Sequence, residues 1–302
     1  MPPVALTSAE LSRVLVEAAS KTGGWAYSSG KSSRIETTCW AMLALAQENS
    51  GSAQTAAYEF LVSCRRADGL LSDRSDLPTN TAWTALALVT LSALSPSADD
   101  DFRQRLLAPL LESGGQQLKN NPALRQNNQL KGWPWTLGTF SWAEPTSWCV
   151  MALKKSVQMS PAATRDPLVR RIAEGEAVLI DRVCDSGGWN YGNSNVLGKS
   201  LPAHVPTTAL GLIALQDRRG LPAVQRSLAF IEEHWKKELS GTALALSLIC
   251  LRIYDRPTGD VETALVNQWQ RTAFLGNLAT TAMACCALNM NTSAIAPLTL
   301  PS

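Results

Sequence analysis

The sequence predicts an all-α protein in which six helical hairpins close into a ring, an (α/α)6 toroid with inner and outer helices. Three observations carry this. A Thr at the head of an apolar stretch recurs: Thr38, Thr81, Thr146, Thr208 and Thr281 are followed seven residues later by Leu45, Leu88, Leu153, Leu215 and Leu288, and Thr242 by Ile249. Recurrence at 34 to 65 residues marks a helical-repeat architecture. Charged and nearly charge-free segments alternate: 164–184 carries eight charged side chains and 206–217 only Asp217. A helix apolar all round must be covered on all sides, so the dry helices form an inner ring and the wet ones an outer ring. Finally, the outer-to-inner connections include long Gly- and Trp-rich loops, whereas the return connections are short. An open superhelical solenoid is the alternative, but solenoids do not usually segregate wet and dry helices so cleanly.

Taken in order, Thr7-Ser-Ala-Glu10 reads as a capping box opening a first outer helix that runs to about Ser20 and stops at Gly23-Gly24. The loop from Trp25 to Arg34 leads into an inner helix near 36–48. The following outer and inner pairs are placed at 53–66 with 79–93, 99–118 with 144–157, 164–184 with 206–217, 221–236 with 241–253, and 258–271 with 278–289. Each repeat Thr reads as an N-cap. Residues 1–290 are expected to form one domain, followed by a Pro/Ser/Thr-rich tail, 291–302, that packs as coil or frays. Because all inner helices begin at one rim, with loops 21–35, 67–78, 119–143 and 185–205 gathered there, function is expected at that mouth.

Composition narrows the functions. Lys and Arg number 27 against 25 Asp and Glu, so no bulk field favours nucleic acid or an anionic membrane, and any charged-ligand site must be local. The seven Cys are scattered, without a C-x-x-C spacing, and five lie in the apolar helices; this points to a reducing, cytoplasmic compartment. No signal sequence and no membrane-spanning run is apparent.

Gly23-Gly24-Trp25-Ala-Tyr27 and Gly187-Gly188-Trp189-Asn-Tyr191, each followed by a repeat helix, resemble the repeats of the squalene cyclase and protein prenyltransferase β-subunit superfamily. The resemblance covers residues 21–290 and implies a toroid with a central apolar cavity for isoprenoid chains. It also locates the catalytic groups, and here the sequence departs from the pattern. Class II terpene cyclases carry Asp-x-Asp-Asp just before the repeat Thr; the residues two before it here are Glu36, Thr79, Glu144, Pro206, Ser240 and Ala279. Glu36 and Glu144 therefore stand where the proton donor would be, beside Thr37 and Pro145 instead of a second carboxylate, and read otherwise as plain dipole-compensating acids at helix starts. The prenyltransferase zinc positions hold Trp142, Glu144 and Thr207, so no metal or other cofactor is expected. Asp99-Asp100-Asp101 reads as dipole compensation at an outer-helix start. His204 and His234 read as surface or rim histidines.

Trp40, Trp83 and Trp148 stand two residues after their repeat Thr, so three indoles share one level of the inner ring, either as an aromatic collar or as packing. Trp25, Trp133 and Trp189 in the rim loops are further candidate ligand contacts. Gly30-Lys31-Ser32 and Gly198-Lys199-Ser200 end like a Walker A motif, but Gly24 and Gly192 are one residue too far upstream and no strand precedes them. Lys31 and Lys199 stand instead as anion contacts near helix N-termini, or as plain exposed lysines. The leading expectation is a toroid that binds an apolar, isoprenoid-like small molecule or a protein partner and lacks the standard catalytic sets. Two alternatives are a divergent cyclase or prenyltransferase using Glu36 or Glu144 as acid, and a carbohydrate-active toroid in which the two carboxylates form the pair.

Overall fold

The computed structural model describes residues 3–46, 51–94, 101–162, 165–290 and 298–300. In chain order the helices are α1 (Pro3–Glu17), α2 (Ile35–Ala44), α3 (Gly51–Ser63), α4 (Thr81–Leu94), α5 (Asp101–Glu112), α6 (Ala143–Met159), α7 (Arg165–Asp181), α8 (Val205–Ala214), α9 (Pro222–His234), α10 (Gly241–Ile253), α11 (Gly259–Thr272) and α12 (Leu278–Asn289). The even-numbered helices touch in the cycle α2, α4, α6, α8, α10, α12 and back to α2, which closes the inner ring. Each odd-numbered helix packs on the inner helix that precedes it, and α1 packs on α12, so the first helix completes the outer ring at the end of the chain. The seam is fixed by Trp269 of α11, whose indole N–H donates to the Glu10 carboxylate at 2.8 Å. The fold is an (α/α)6 toroid, and among the described residues no helix is long and apolar enough to cross a membrane.

Two expectations about helix starts are corrected. Helix α1 begins upstream of Thr7, so Thr7-Ser-Ala-Glu10 is interior helix, and its Glu10 serves the seam instead of a capping box. The repeat Thr is not a cap either. The N-cap positions are Arg34, Trp142 and His204, none with a side-chain cap bond, and the Thr stands four residues further on. There its hydroxyl accepts a loop N–H: Trp25 N–H to Thr38, Trp133 N–H to Thr146 and Trp189 N–H to Thr208, all at 2.9 to 3.0 Å. In the second unit the same bond runs from Leu71 to Thr84, not Thr81, so the sequence register there is displaced by three residues.

Five of the six inner helices are capped at the first N–H by a neighbour, whereas α10 opens on its own Ser240, whose Oγ accepts from the Ala243 N–H. The first N–H of α2 donates to the Asp73 carboxylate, of α4 to Trp135 O, of α6 to Tyr191 O, of α8 to the Glu238 carboxylate and of α12 to Tyr27 O. Each acceptor belongs to the rim loop of the next unit, and the last is supplied by the first. For these five helices an orphan donor of the helix start is thus satisfied between units.

A β-hairpin, β1 (Asn195–Val196) with β2 (Lys199–Ser200), projects from the rim; its turn residues Leu197 and Gly198 both have positive φ, 52° and 75°. At the opposite end Leu298 is buried, Gln216 bonds Leu298 O and Leu300 N–H, and Lys155 Nζ donates to Thr299 O at 2.8 Å. The described end of the tail is therefore packed into the core and does not fray. Asp99, Asp100 and residues 291–297 lie outside the described residues; Asp101 does open α5 and pairs with Arg105 at 2.6 Å.

Candidate functional site: a carboxyl pair above an indole pair

Counting from the N-cap residues Arg34, Trp142, His204, Ser240 and Asn277 orders the interior of the mouth. Two residues past the cap stand Glu36, Glu144, Pro206 and Thr242; six past it stand Trp40, Trp148, Leu210, Leu246 and Met283. All of these line one cavity of about 200 Å³, together with Thr207, Tyr191 and His204. Positions four apart share a helix face, so the cavity is two stacked layers, a polar one at the mouth and an apolar one a turn deeper. An engineered apolar cavity of about 150 Å³ admits benzene. The present one has room for a ring or a branched five-carbon unit.

The two acids are not equivalent. Tyr27 O–H donates to Glu36 Oε2 at 2.5 Å, which stabilises the ionised form of Glu36 against the burial that raises its pKa. Burial, followed by the charge of Glu36, keeps the Tyr27 phenol protonated and available as this donor. No donor among the described residues reaches the Glu144 carboxyl. Burial, then the charge of Glu36, raises its pKa to about 7. Both carboxyls are raised by burial, but only Glu36 has a donor that favours its ionised form, so Glu144 is the one whose neutral form the surroundings favour more.

A turn deeper, Trp40 and Trp148 meet edge to face with ring centroids 5.8 Å apart. Their indole N–H groups are buried without an acceptor, an arrangement that packing alone disfavours. A cation formed just under the carboxyls would lie beside these rings.

The other expected contacts are elsewhere. Trp83 follows the displaced register of its unit and packs on Trp135 at 5.4 Å, so the collar has two indoles and not three. Trp25, Trp133 and Trp189 are fully buried; their indole N–H groups donate to Leu15 O, Leu110 O and Leu179 O, pinning each loop to its outer helix. Arg171 also stacks on Trp133 at 3.4 Å. These three tryptophans are structural clasps, away from the cavity. Lys31 and Lys199 are exposed on loop tips and do not line it. Conversely, Tyr27, Tyr191 and His204 are site residues that the sequence reading passed over. The signal for the tyrosines was the aromatic two residues after each motif Trp, namely Tyr27, Trp135 and Tyr191. His204, read as a rim histidine, has its ring 4.9 Å from that of Tyr191, tilted by 43°, in the cavity wall.

A second cavity of about 160 Å³ lies beneath the loop 113–142, between Trp142 and Arg182, and an open groove of about 630 Å³ follows the seam beside Tyr27 and Phe274. Neither contains a carboxyl pair. Among the described residues no group of three or more metal-ligating side chains occurs. Burial pushes the Cys39 and Cys149 thiols up, which leaves them unreactive packing groups.

No family model matches this chain, and no curated protein matches it in sequence. Solved structures do match in fold. They include an α-amylase from Clostridium perfringens, with 11% identity, TM-score 0.66, and 93% of this chain and 97% of that chain covered. A GH76 α-mannanase from Bacteroides thetaiotaomicron gives 11% identity, TM-score 0.63 and 94% of each chain. A type II terpene cyclase from Scytonema, in complex with its product merosterolic acid A, gives 16% identity, TM-score 0.58, and 95% and 96%. At these identities the likeness establishes the toroid fold alone.

Proposed function

We propose that this chain is a proton-transfer enzyme acting on an isoprenoid-like, largely apolar substrate, with Glu144 as the acid and Glu36 as the accepting carboxylate. The observation that carries this reading is the buried Glu144 carboxyl, with no donor among the described residues, in the wall of a cavity one helical turn above an indole pair; that burial pushes its pKa up to about 7. Protonation of an alkene carbon or an epoxide oxygen breaks the Glu144 O–H bond and leaves positive charge on the substrate. The indoles of Trp40 and Trp148 stabilise that charge. Loss of a proton to Glu36 then ends the sequence, so the overall change is an isomerisation or cyclisation without cofactor. Proton exchange across the carboxyl pair resets the site.

The cyclase motif's second carboxylate is absent, but its role of setting the acid is available to Glu36, which belongs to another helix of the ring. This shifts the reading from ligand binding alone towards catalysis. The rest of the proposal is a single domain over residues 1–290, working in the cytoplasm, where seven free buried cysteines remain reduced. A carbohydrate substrate is the second reading, favoured by the carboxyl pair and by the amylase and mannanase among the fold neighbours. The deeper layer counts against it, since Leu210, Leu246 and Met283 offer sugar hydroxyls no partner.

The test is turnover of linear polyprenes, their epoxides and oligosaccharides by the wild type and by Glu144→Gln. Polyprene or epoxide turnover is expected, reduced about 10² to 10⁴-fold in Glu144→Gln while binding of the same compound is retained. Binding without turnover in the wild type would leave a ligand carrier, and oligosaccharide cleavage lost in the same variant would establish the second reading.

A further inference from the structure

We propose that the mouth face of the toroid docks on an anionic lipid surface. Unlike the assignment of Glu144, this does not depend on any reaction in the cavity. The near-neutral total charge conceals a sharp asymmetry. The six connections at the mouth, residues 18–34, 64–80, 113–142, 182–204, 235–240 and 273–277, hold thirteen Lys and Arg against five Asp and Glu. The remainder of the chain holds fourteen against twenty. The connecting loops around the mouth are thus basic and the rest of the chain, which includes Glu36 and Glu144 inside the mouth, is acidic. Lys21, Lys31, Lys119 and Lys199 are exposed there and pair with no carboxylate among the described residues.

Exposed apolar side chains concentrate on the same face. Leu118, Leu137, Phe140, Tyr191 and Leu197 are 40% to 76% exposed on the two longest mouth loops. Leu77, Leu239 and Phe274 add to them on three other loops, whereas the described return connections at the far end expose no large hydrophobic. Leu197 is the most telling. It stands 76% exposed at the tip of the β1–β2 hairpin in a left-handed conformation that ordinarily calls for Asn or Gly. The two-residue hairpin turn requires that conformation, and it leaves the isobutyl group facing the surroundings. Basic residues adjoin the apolar tips: Lys119 follows Leu118, Lys199 lies two residues after Leu197, and Lys237 two before Leu239. Lysines beside protruding Leu and Phe match a bilayer interface, where the apolar tips enter the acyl boundary and the ammonium groups meet anionic headgroups. A face so oriented would open the cavity towards a reservoir of apolar compounds.

The test is flotation of the full chain with vesicles of phosphatidylcholine alone or with roughly one-third phosphatidylglycerol. The wild type is expected to float with the mixed vesicles, and to bind about tenfold more weakly to phosphatidylcholine alone or in about 0.5 M salt. Leu118→Ser/Phe140→Ser/Leu197→Ser and Lys119→Glu/Lys199→Glu should each weaken binding about tenfold with unchanged circular dichroism. Val169→Ser, on an outer helix and 54% exposed, should bind as the wild type does. The proposal is overturned if the wild type does not float, if the mouth variants float equally well, or if Val169→Ser loses as much. It is also overturned if the mouth variants abolish only self-association. No substrate is used, so the outcome is separate from the turnover assay.

Discussion

At the scale of single residues the proposed chemistry rests on the difference between two glutamates in equivalent positions. Glu36 has a phenol to stabilise its charge, and Glu144 has only burial and the charge of Glu36. The Glu144 carboxyl has a folded pKa of about 7 against an ordinary 4.5, so its contribution to stability is present below the ordinary value and is lost as pH rises through 7. Glu144→Gln should therefore stabilise the protein by up to about 2 to 3 kcal/mol at pH 8 and change little at pH 4, as measured by urea unfolding. Activity should fall tenfold per pH unit above about 7, because the acid must hold its proton. Tyr27→Phe removes the donor that favours ionised Glu36. Activity should fall and its pH profile should shift, whereas a purely packing role would leave the profile unmoved.

At the scale of elements, the repeated unit is a loop clasped between two helices. Trp133 illustrates it: its backbone N–H donates to Thr146, its indole N–H to Leu110 O, and its ring face carries Arg171. Thr146→Val would leave the Trp133 N–H buried without an acceptor and should cost about 1 to 3 kcal/mol in urea unfolding. The clasp also explains a glycine. A Cβ on Gly211 of α8 would lie 2.7 Å from the Trp189 ring, so Gly211→Ala should destabilise by about 1 to 3 kcal/mol despite its better helix propensity. A Thr four residues into a helix looks like a cap in sequence because both roles precede an apolar run. Only the loop bond tells them apart.

For the whole molecule, closure depends on contacts between the chain's extremes. The N-terminus of α12 is capped by Tyr27 O, Trp269 reaches Glu10, and Leu298 is buried at the end opposite the mouth. Leu298→Ala should cost about 2 to 5 kcal/mol, read from the unfolding midpoint, because its site is enclosed and cannot readily collapse. The same closure gathers six separate loops on one face. That is how a chain with nearly balanced charge acquires a basic mouth.

By itself the sequence determined the number of helices, their approximate limits and their assignment to inner or outer ring. Burial on one face or on all faces leaves a periodic trace in local sequence, and Glu36 and Glu144 were visible as the only acids two residues before a repeat Thr. What the tertiary structure decided is angular. Whether a side chain faces the cavity depends on where each inner helix begins, and five of the six begin where the next unit's loop caps them. That dependence moved Trp83 out of the collar, brought Tyr191 and His204 to the cavity wall and Tyr27 onto Glu36, and turned Trp25, Trp133 and Trp189 into clasps. Only the closed ring brings Glu36 within electrostatic reach of Glu144, and so gives two like residues different surroundings.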